Sequence, residues 1–112
     1  DARMNATERA YADHLSLRIL AGEVSEWHFE AVTLRLGADL RLTPDFLVVT
    51  ADGAVELHET KGRERGRDAP RLEEDARAKL LTAARLYPFR IVLAWPVAAL
   101  AEGRWSTRIL LP

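Results

Sequence analysis

The feature that most constrains how this chain can fold is a short apolar hairpin that becomes charged at one end. Residues 44–61 read PDFLVVT, ADG and AVELHETK, so two apolar runs flank a three-residue loop that ends in glycine. Such a loop is typical of a type I turn followed by a bulge. Pro44, which has no backbone donor, suits the first position of a strand. The segment therefore predicts two antiparallel strands, over residues 46–49 and 55–61.

The length of the loop sets the register of this hairpin. The turn makes Thr50 face Ala54, and the pairs that follow are Val49 with Val55, Leu47 with Leu57, and Asp45 with Glu59. A two-residue loop would mix apolar and polar side chains on both faces, so the pattern favours the first register. Because side chains alternate along a strand, Lys61 follows Glu59 on the same face. An apolar face is thus predicted to end in two carboxylates and an ammonium.

The charged end of the hairpin has two interpretations. Glu59 and Lys61 can form an ordinary ion pair at a strand end, while Asp45 caps a turn after Pro44. Against this, three charged groups on one apolar face are costly to bury, and such groups are more often functional. The two carboxylates would also repel each other and lose hydration, so the cluster needs a counter-ion.

Phosphodiester hydrolysis requires this combination of groups. The chain has no cysteine, so oxygen or imidazole must hold any bound ion, which favours a hard cation. Asp and Glu oxygens bind Mg²⁺, which polarises a phosphate and lowers the pKa of a bound water. An ammonium can orient that water or stabilise developing charge, and a lysine pKa shifts when the group is desolvated. The histidines share no metal-binding spacing, and His58 is expected opposite Glu59's face as a structural or surface residue.

A helical pattern precedes the hairpin. Asn5 and Glu8 form a capping-box pattern for a helix over residues 6–21, and Gly22 follows its end. Glu8 lies at helical spacing from three apolar residues, Ala12, Leu15 and Ile19. This spacing places the Glu8 carboxylate on the apolar face of the helix.

The remaining elements define the fold class. They are a strand over residues 27–36 with an irregularity near residue 31, a helix over 72–87 stopped by Pro88, and strands over 89–95 and 105–111. The order is therefore helix, three strands, helix, two strands. It indicates an α/β fold with an antiparallel meander first and a crossover helix before the fourth strand.

Length and composition limit the class of protein. A chain of 112 residues, 48% hydrophobic and 29% charged, suits one domain over residues 1–112. Met4 is expected to be the natural start, with residues 1–3 added in cloning. No apolar run approaches the length of a membrane span, so we expect a soluble cytoplasmic protein with no membrane partner.

The charge distribution is uneven along the chain. A net charge of −1 gives no global electrostatic argument for nucleic acid. Residues 61–71, however, contain five basic residues against Glu64 and Asp68. The arginines of this segment can contact DNA phosphates, or the segment can be a solvated, partly disordered loop. They are Arg63, Arg65, Arg67 and Arg71.

The motif at the charged end resembles that of a known superfamily. Pro44-Asp45, thirteen intervening residues and Glu59-Thr60-Lys61 resemble the PD-(D/E)XK nuclease motif. The order of elements resembles that superfamily's restriction-endonuclease-like αβββαβ core, a mixed sheet flanked by helices. The segments TPDFLVV, ADG and VELHETKG are most similar to small phage-type members, including Holliday junction resolvases and related phage endonucleases.

The resemblance implies a role for each residue of the motif. Asp45 and Glu59 would be catalytic metal ligands, the Thr60 carbonyl a further ligand, and Lys61 the catalytic lysine. The metal would be Mg²⁺, with Mn²⁺ able to substitute. Glu8 matches a first-helix acidic residue that binds the metal or its water shell, and its alternative role is the capping partner of Asn5.

The second helix adds one more candidate. Lys79 lies between Ala76 and Leu80, near the stripe expected to face the sheet. It is either a surface lysine whose stem packs on apolar groups or a contact to the DNA or the active site.

The expected activity is hydrolysis of DNA phosphodiester bonds by a Mg²⁺-dependent endonuclease, through direct attack of an activated water. By resemblance alone, the substrate is branched DNA, the enzyme is a homodimer, and the source is a phage or prophage in a bacterial host. Two alternatives remain: a non-specific or nicking nuclease, and a non-catalytic nucleic-acid-binding module that keeps the fold. A sugar- or nucleotide-processing enzyme would need a phosphate-binding glycine loop, which the sequence lacks.

Overall fold

The fold is α/β and is organised around one mixed sheet of five strands. It is seen in a computed structural model that describes residues 2–111. The helices and strands are α1 (Ala6–Leu20), β1 (Val24–Phe29), β2 (Leu34–Arg35), β3 (Arg41–Leu42), β4 (Phe46–Thr50), β5 (Val55–Thr60), α2 (Glu74–Leu86), β6 (Arg90–Pro96) and β7 (Trp105–Leu110). Asp1 and Pro112, the ends of the expected domain, lie outside the described residues, as does part of the segment expected to precede Met4.

The sheet has the order β1-β4-β5-β6-β7. Strands β1, β4 and β5 form an antiparallel meander, α2 crosses over, and β6 pairs parallel to β5 before β7 returns antiparallel. The predicted meander and crossover helix are therefore confirmed. No helix within residues 2–111 combines the length and the apolar character needed to cross a bilayer.

The first helix begins as its sequence predicts. The Asn5 side chain accepts from the Glu8 backbone while the Glu8 carboxylate accepts from the Asn5 backbone, both at 2.8 Å. The buried face contains Tyr11, Ala12 and Leu15. Ile19, expected on the same stripe, is instead 37% exposed, since the buried part of the helix ends at Leu15.

The hairpin of β4 and β5 has the predicted register. Leu47 pairs with Leu57 and Val49 with Val55. The Thr50 amide donates to the Ala54 carbonyl at 2.9 Å, and Gly53 has a φ of 89°, which a side chain would disfavour. The three-residue loop thus fixes which residues meet at the far end of the hairpin.

The strand predicted over residues 27–36 is wrong as a single element. β1 starts earlier, at Val24, and stops at Phe29, because Glu30 adopts a φ of 49° and turns the chain out of the sheet. The Glu30 amide then donates to the Asp45 carbonyl at 2.8 Å. The following residues form β2, which pairs only with β3 in a separate two-stranded sheet.

Both faces of the large sheet are covered by apolar side chains. On the α1 side the buried residues include Tyr11, Leu15, Phe46 and Val48. On the α2 side they include Leu57, Leu80, Ala83, Ile91 and Leu93. Since Glu59 follows Leu57 by two residues along β5, it belongs to the α2 side. His58 belongs to the α1 side and is 1% exposed, so its surface alternative is wrong and its structural one is confirmed.

Candidate active site

The start of β4 and the end of β5 bring the predicted carboxylates together. Asp45 directly precedes β4, and Glu59 is the penultimate residue of β5. The Asp45 amide donates to Glu59 Oε1 at 3.1 Å. The amide and the hydroxyl of Thr60 both donate to Asp45 Oδ2 at 2.8 Å. Each carboxylate is therefore oriented by a neighbouring strand end.

Pro44 leaves the carbonyl of Thr60 without its expected strand partner. Hydrogen-bonded pairs alternate along an antiparallel ladder, and Thr50 with Ala54 is such a pair. Continued to the other end of the hairpin, this alternation places Pro44 opposite Thr60. Proline has no N–H to donate, so the ladder cannot satisfy the Thr60 carbonyl. An unpaired carbonyl beside Asp45 is a suitable additional ligand for a hard cation.

Lys61 lies next to this pair. Its Nζ is 3.7 Å from Glu59 Oε2, and the side chains of Lys61 and Glu59 are 29% and 13% exposed. The Lys61 amide donates to the Ala94 carbonyl at 2.9 Å, which ties the residue to β6. The ammonium therefore lies at the edge of the cluster, where it can contact both Glu59 and a group of a bound substrate.

Glu8 reaches the cluster from the first turn of α1. Burial raises its pKa, and so does the charge of Asp45, whose carboxyl is close enough to share a hydrogen bond with it. The same carboxylate accepts the capping hydrogen bond from Asn5. The two roles considered for Glu8 are therefore compatible in geometry, since the cap holds the side chain beside Asp45.

The cluster carries more negative charge than its own residues balance. Burial, followed by the charge of Asp45, raises the pKa of Glu59 to about 7, although Lys61 opposes this shift. Glu8 also contributes to the raised pKa of Glu59. Three carboxyl groups thus interact with a single ammonium. A bound divalent cation would remove this imbalance.

The chemistry of the donors fits Mg²⁺. This ion is commonly held by one or two carboxylates, with water and substrate phosphates completing its shell. Asp45 and Glu59 provide the two carboxylates, and Thr60 and Glu8 lie beside them. Within residues 2–111, no group of three or more His, Asp or Glu side chains has an arrangement that could hold a metal ion, so any site here would use two carboxylates.

The basic segment after Lys61 folds back on itself. The Arg71 amide donates to the Gly62 carbonyl at 2.7 Å, and the Glu64 amide to the Ala69 carbonyl at 2.6 Å. Asp68 accepts a 2.9 Å hydrogen bond from the Trp95 indole, which fastens the loop to β6. The segment is therefore a hydrogen-bonded loop, and its four arginines, Arg63, Arg65, Arg67 and Arg71, are exposed.

Lys79 lies apart from the carboxylates. It is half-buried and lines a shallow cavity with Leu40, Asp75 and Thr82. Among the described residues it has no hydrogen bond or ion pair to Asp45 or Glu59. The structure therefore does not bring Lys79 together with the other candidate residues.

The sequence patterns missed a buried polar chain on the opposite face of β5. The Tyr11 hydroxyl and His58 Nδ1 are 2.6 Å apart, and His58 Nε2 is 2.8 Å from Glu56 Oε1. Arg90 donates to the other Glu56 oxygen at 3.0 Å. Burial lowers the pKa of His58, so the neutral ring accepts from Tyr11 and donates to Glu56. The spacing of Glu56 and His58 on one face of a strand was the available signal.

The site is therefore a pair of mutually oriented carboxylates with a lysine at one edge and a third carboxylate close by. Such a set can hold a hard cation against a phosphate group and position a water for attack. Comparisons of the chain with protein-family models, curated proteins and solved structures gave no match.

Proposed function

We propose that this protein is a Mg²⁺-dependent DNA endonuclease that hydrolyses phosphodiester bonds. The observation that carries the proposal is the meeting of Asp45, Glu59 and Lys61 at one end of a buried hairpin, with unbalanced negative charge. Structural ion pairs usually satisfy their own charges, whereas this cluster needs a cation. The motif resemblance to PD-(D/E)XK nucleases points to the same residues.

Each residue has a distinct task in this mechanism. Asp45 and Glu59 would hold the cation, with Thr60 orienting Asp45 through two hydrogen bonds and offering its carbonyl. The bound Mg²⁺ would supply Lewis acidity toward the phosphate and increase the acidity of a coordinated water. Lys61 would orient the attacking water or stabilise the charge that develops on the phosphate oxygens. Glu8 would bind the water shell beside Asp45.

The fold is compatible with a restriction-endonuclease-like αβββαβ core, and we include that core in the proposal. One helix, an antiparallel meander, a crossover helix and a parallel strand follow in that order. Asp45 directly precedes the second strand of the meander, and Glu59 lies in the third.

We further propose that the substrate is branched DNA of the kind resolved by phage-type enzymes, and that the enzyme acts as a homodimer. Symmetric cutting of a four-way junction needs two sites, and β7 is an edge strand whose Ile109 is 49% exposed. Leu111, which is 74% exposed, extends the apolar surface beyond that strand. The exposed arginines of residues 63–71 would contact the phosphates of each arm.

The test is cleavage of a labelled four-way junction, a linear duplex and a single strand, each with Mg²⁺, Mn²⁺ or EDTA. We expect metal-dependent, symmetric incision of the junction that Asp45→Asn and Lys61→Ala both abolish. Asp13→Asn and Arg85→Ala are the matched controls, because both residues are exposed and lie outside the carboxylate cluster, on α1 and in the last turn of α2.

The other outcomes separate the alternatives. Cutting of all three substrates would leave a non-specific nuclease, and single-strand incision of duplex DNA would indicate a nicking enzyme. Binding without cleavage under any condition would overturn the enzyme and favour a nucleic-acid-binding module. Equal activity of wild type and Asp45→Asn would exclude this site as the catalytic one.

A further inference from the structure

A cavity lined by three arginines lies beside the basic loop. It has a volume of about 270 Å³ and is bounded by that loop, the first turn of α2 and β7. The arginines are Arg67, Arg77 and Arg108, and the acidic residues in the lining are Glu64 and Glu74. Within residues 2–111, none of the three guanidinium groups has an ion-pair partner. The cavity therefore has an excess of unpaired positive charge.

The sheet register places this cavity on the same face as the carboxylates. Glu59 pairs with Leu93 across β5 and β6, and Leu93 pairs with Arg108 across β6 and β7. Directly paired residues project from the same face of a sheet. Because neighbouring strands are about 4.8 Å apart, the backbone of Arg108 lies roughly 10 Å from that of Glu59.

Trp95 holds the walls of the cavity in place. The guanidinium of Arg108 lies over the Trp95 ring, 5.3 Å from its centroid. The indole N–H of the same residue donates to Asp68 in the basic loop. One buried tryptophan thus fixes both β7's arginine and the loop that carries Arg67. An arginine oriented in this way loses less conformational freedom when it binds an anion.

We propose that Arg67, Arg77 and Arg108 bind a second backbone phosphate of the DNA strand that is cut. This inference rests on the proposed function and deepens it. Phosphates of one strand follow at about 3.4 Å along the duplex axis and lie at least that far apart in space, so a pocket roughly 10 Å away can take a phosphate at most about three nucleotides from the scissile one. Arginine forks match phosphate oxygens in geometry as well as charge. The pocket would set which phosphate reaches Asp45 and Glu59.

The sequence pointed to only one of these residues. Arg67 belongs to the basic segment, whereas Arg77 and Arg108 come from α2 and β7. They converge only because the crossover helix and the last strand pack on the same side of the sheet. The pocket is thus formed by residues from three separate parts of the chain, the basic loop, α2 and β7.

The first test measures DNA affinity by fluorescence anisotropy, with Ca²⁺ in place of Mg²⁺, for wild type and Arg77→Ala/Arg108→Ala. Loss of these contacts should weaken binding about tenfold and reduce the salt dependence by about one phosphate contact. Arg85→Ala, an exposed arginine at the other end of α2, is the matched control and should bind as wild type does. An equal loss in Arg85→Ala would overturn the pocket, because it would indicate only general charge.

The second test keeps the wild-type protein and changes the DNA, so it does not depend on how a variant folds. A single uncharged methylphosphonate linkage is placed at successive positions from the mapped cut. At one position within about three nucleotides of the cut, a neutral linkage should weaken binding about tenfold in wild type and have no further effect in the double variant. The pocket is refuted if no position has an effect, or if the effect is the same in both proteins.

Failure of the two proposals can be told apart. If Mg²⁺ supports no cleavage but the arginine double variant still loses affinity and salt dependence, the nuclease proposal fails and the phosphate pocket stands. If cleavage occurs and the neutral linkages have no effect, the pocket fails while the nuclease stands.

Discussion

Two polar clusters lie on opposite faces of β5, one toward α1 and one toward α2. The first links Tyr11, His58, Glu56 and Arg90 in a continuous chain of hydrogen bonds. The second gathers Asp45, Glu59 and Lys61 with Glu8 nearby. They share one strand and similar residue types, but they differ in how their charges are balanced.

The polar groups of the cluster toward α1 are hydrogen-bonded to one another. The hydrogen bond from His58 lowers the pKa of Glu56, and Arg90 supports the same carboxylate. Each link from Tyr11 through His58 and Glu56 to Arg90 therefore joins a donor to an acceptor. Complete internal pairing is the property of a polar network that fixes structure.

The charges of the cluster toward α2 are not balanced by its own residues. Burial and the charge of Asp45 raise the pKa of Glu59 and of Glu8, and a single lysine opposes both shifts. Proteins retain such imbalance where a ligand completes it. Buried charge alone therefore does not distinguish a candidate binding site from a structural network, whereas an incomplete charge balance does.

The largest expected effect is on cleavage. Asp45→Asn should lower the rate by at least about 10³-fold, since it removes a ligand charge while keeping the shape of the side chain. The measurement is single-turnover incision of the preferred DNA with Mg²⁺ in excess. A rate within about tenfold of wild type would place the chemistry elsewhere.

The next largest effect is expected from a substitution that disrupts the hydrogen-bonded cluster toward α1. His58→Ala should reduce the free energy of unfolding by about 3 kcal/mol, because it opens a cavity and leaves Tyr11 and Glu56 without a buried partner. Urea unfolding monitored by circular dichroism gives this value. His28→Ala is the control, since His28 is exposed in β1. Equal stability of both variants would show that the buried chain contributes nothing.

Urea unfolding should give a change in stability of the opposite sign for a substitution in the carboxylate cluster on the other face of β5. Glu59→Gln should stabilise the metal-free protein by about 2 kcal/mol at pH 8, since it removes a buried charge that Asp45 repels. The folded-state pKa of Glu59 is raised, so its stabilising contribution is complete below about pH 4.5 and is lost as the pH rises through about 7.

The pH dependence provides the check on this prediction. In EDTA, the stability of Glu59→Gln should exceed that of wild type at pH 8, and the two should converge near pH 4.5. Asp39→Asn, at an exposed carboxylate between β2 and β3, should follow wild type throughout. A destabilised Glu59→Gln at pH 8 would mean that this carboxylate is already balanced.

The smallest expected effect is that of the cation on stability. At ten times its Kd, Mg²⁺ should stabilise the wild type by about 1.4 kcal/mol and should not stabilise Asp45→Asn to the same extent. Thermal unfolding with Mg²⁺ or EDTA measures the difference. An identical shift in Tm for both proteins would indicate that the ion binds away from Asp45.

Much of the site follows from local sequence. The glycine-ended loop fixes the register, and the register places Asp45 beside Glu59. The capping box likewise fixes the start of α1 and the position of Glu8. These features depend on residues within about fifteen positions of one another, where turn and cap chemistry determine the structure.

The features that sequence patterns missed depend on distant partners or unusual backbone. The sequence predicted an irregularity near residue 31, but Glu30 adopts a left-handed conformation that its residue type does not signal, so β1 ends there and does not continue to residue 36. The sequence left His58 as either a structural or a surface residue, and only its contact with Tyr11, 47 positions away, decides between the two. The arginine cavity requires the pairing of β6 with β7, which no local pattern specifies.

Pro44 gives the site a property that no side chain could provide. Its missing N–H leaves the backbone of β5 with one carbonyl that the sheet does not use. A cation bound at this carbonyl would have no strand partner to compete with. The carbonyl would be available without local unfolding, and the backbone itself would preorganise part of the proposed coordination shell.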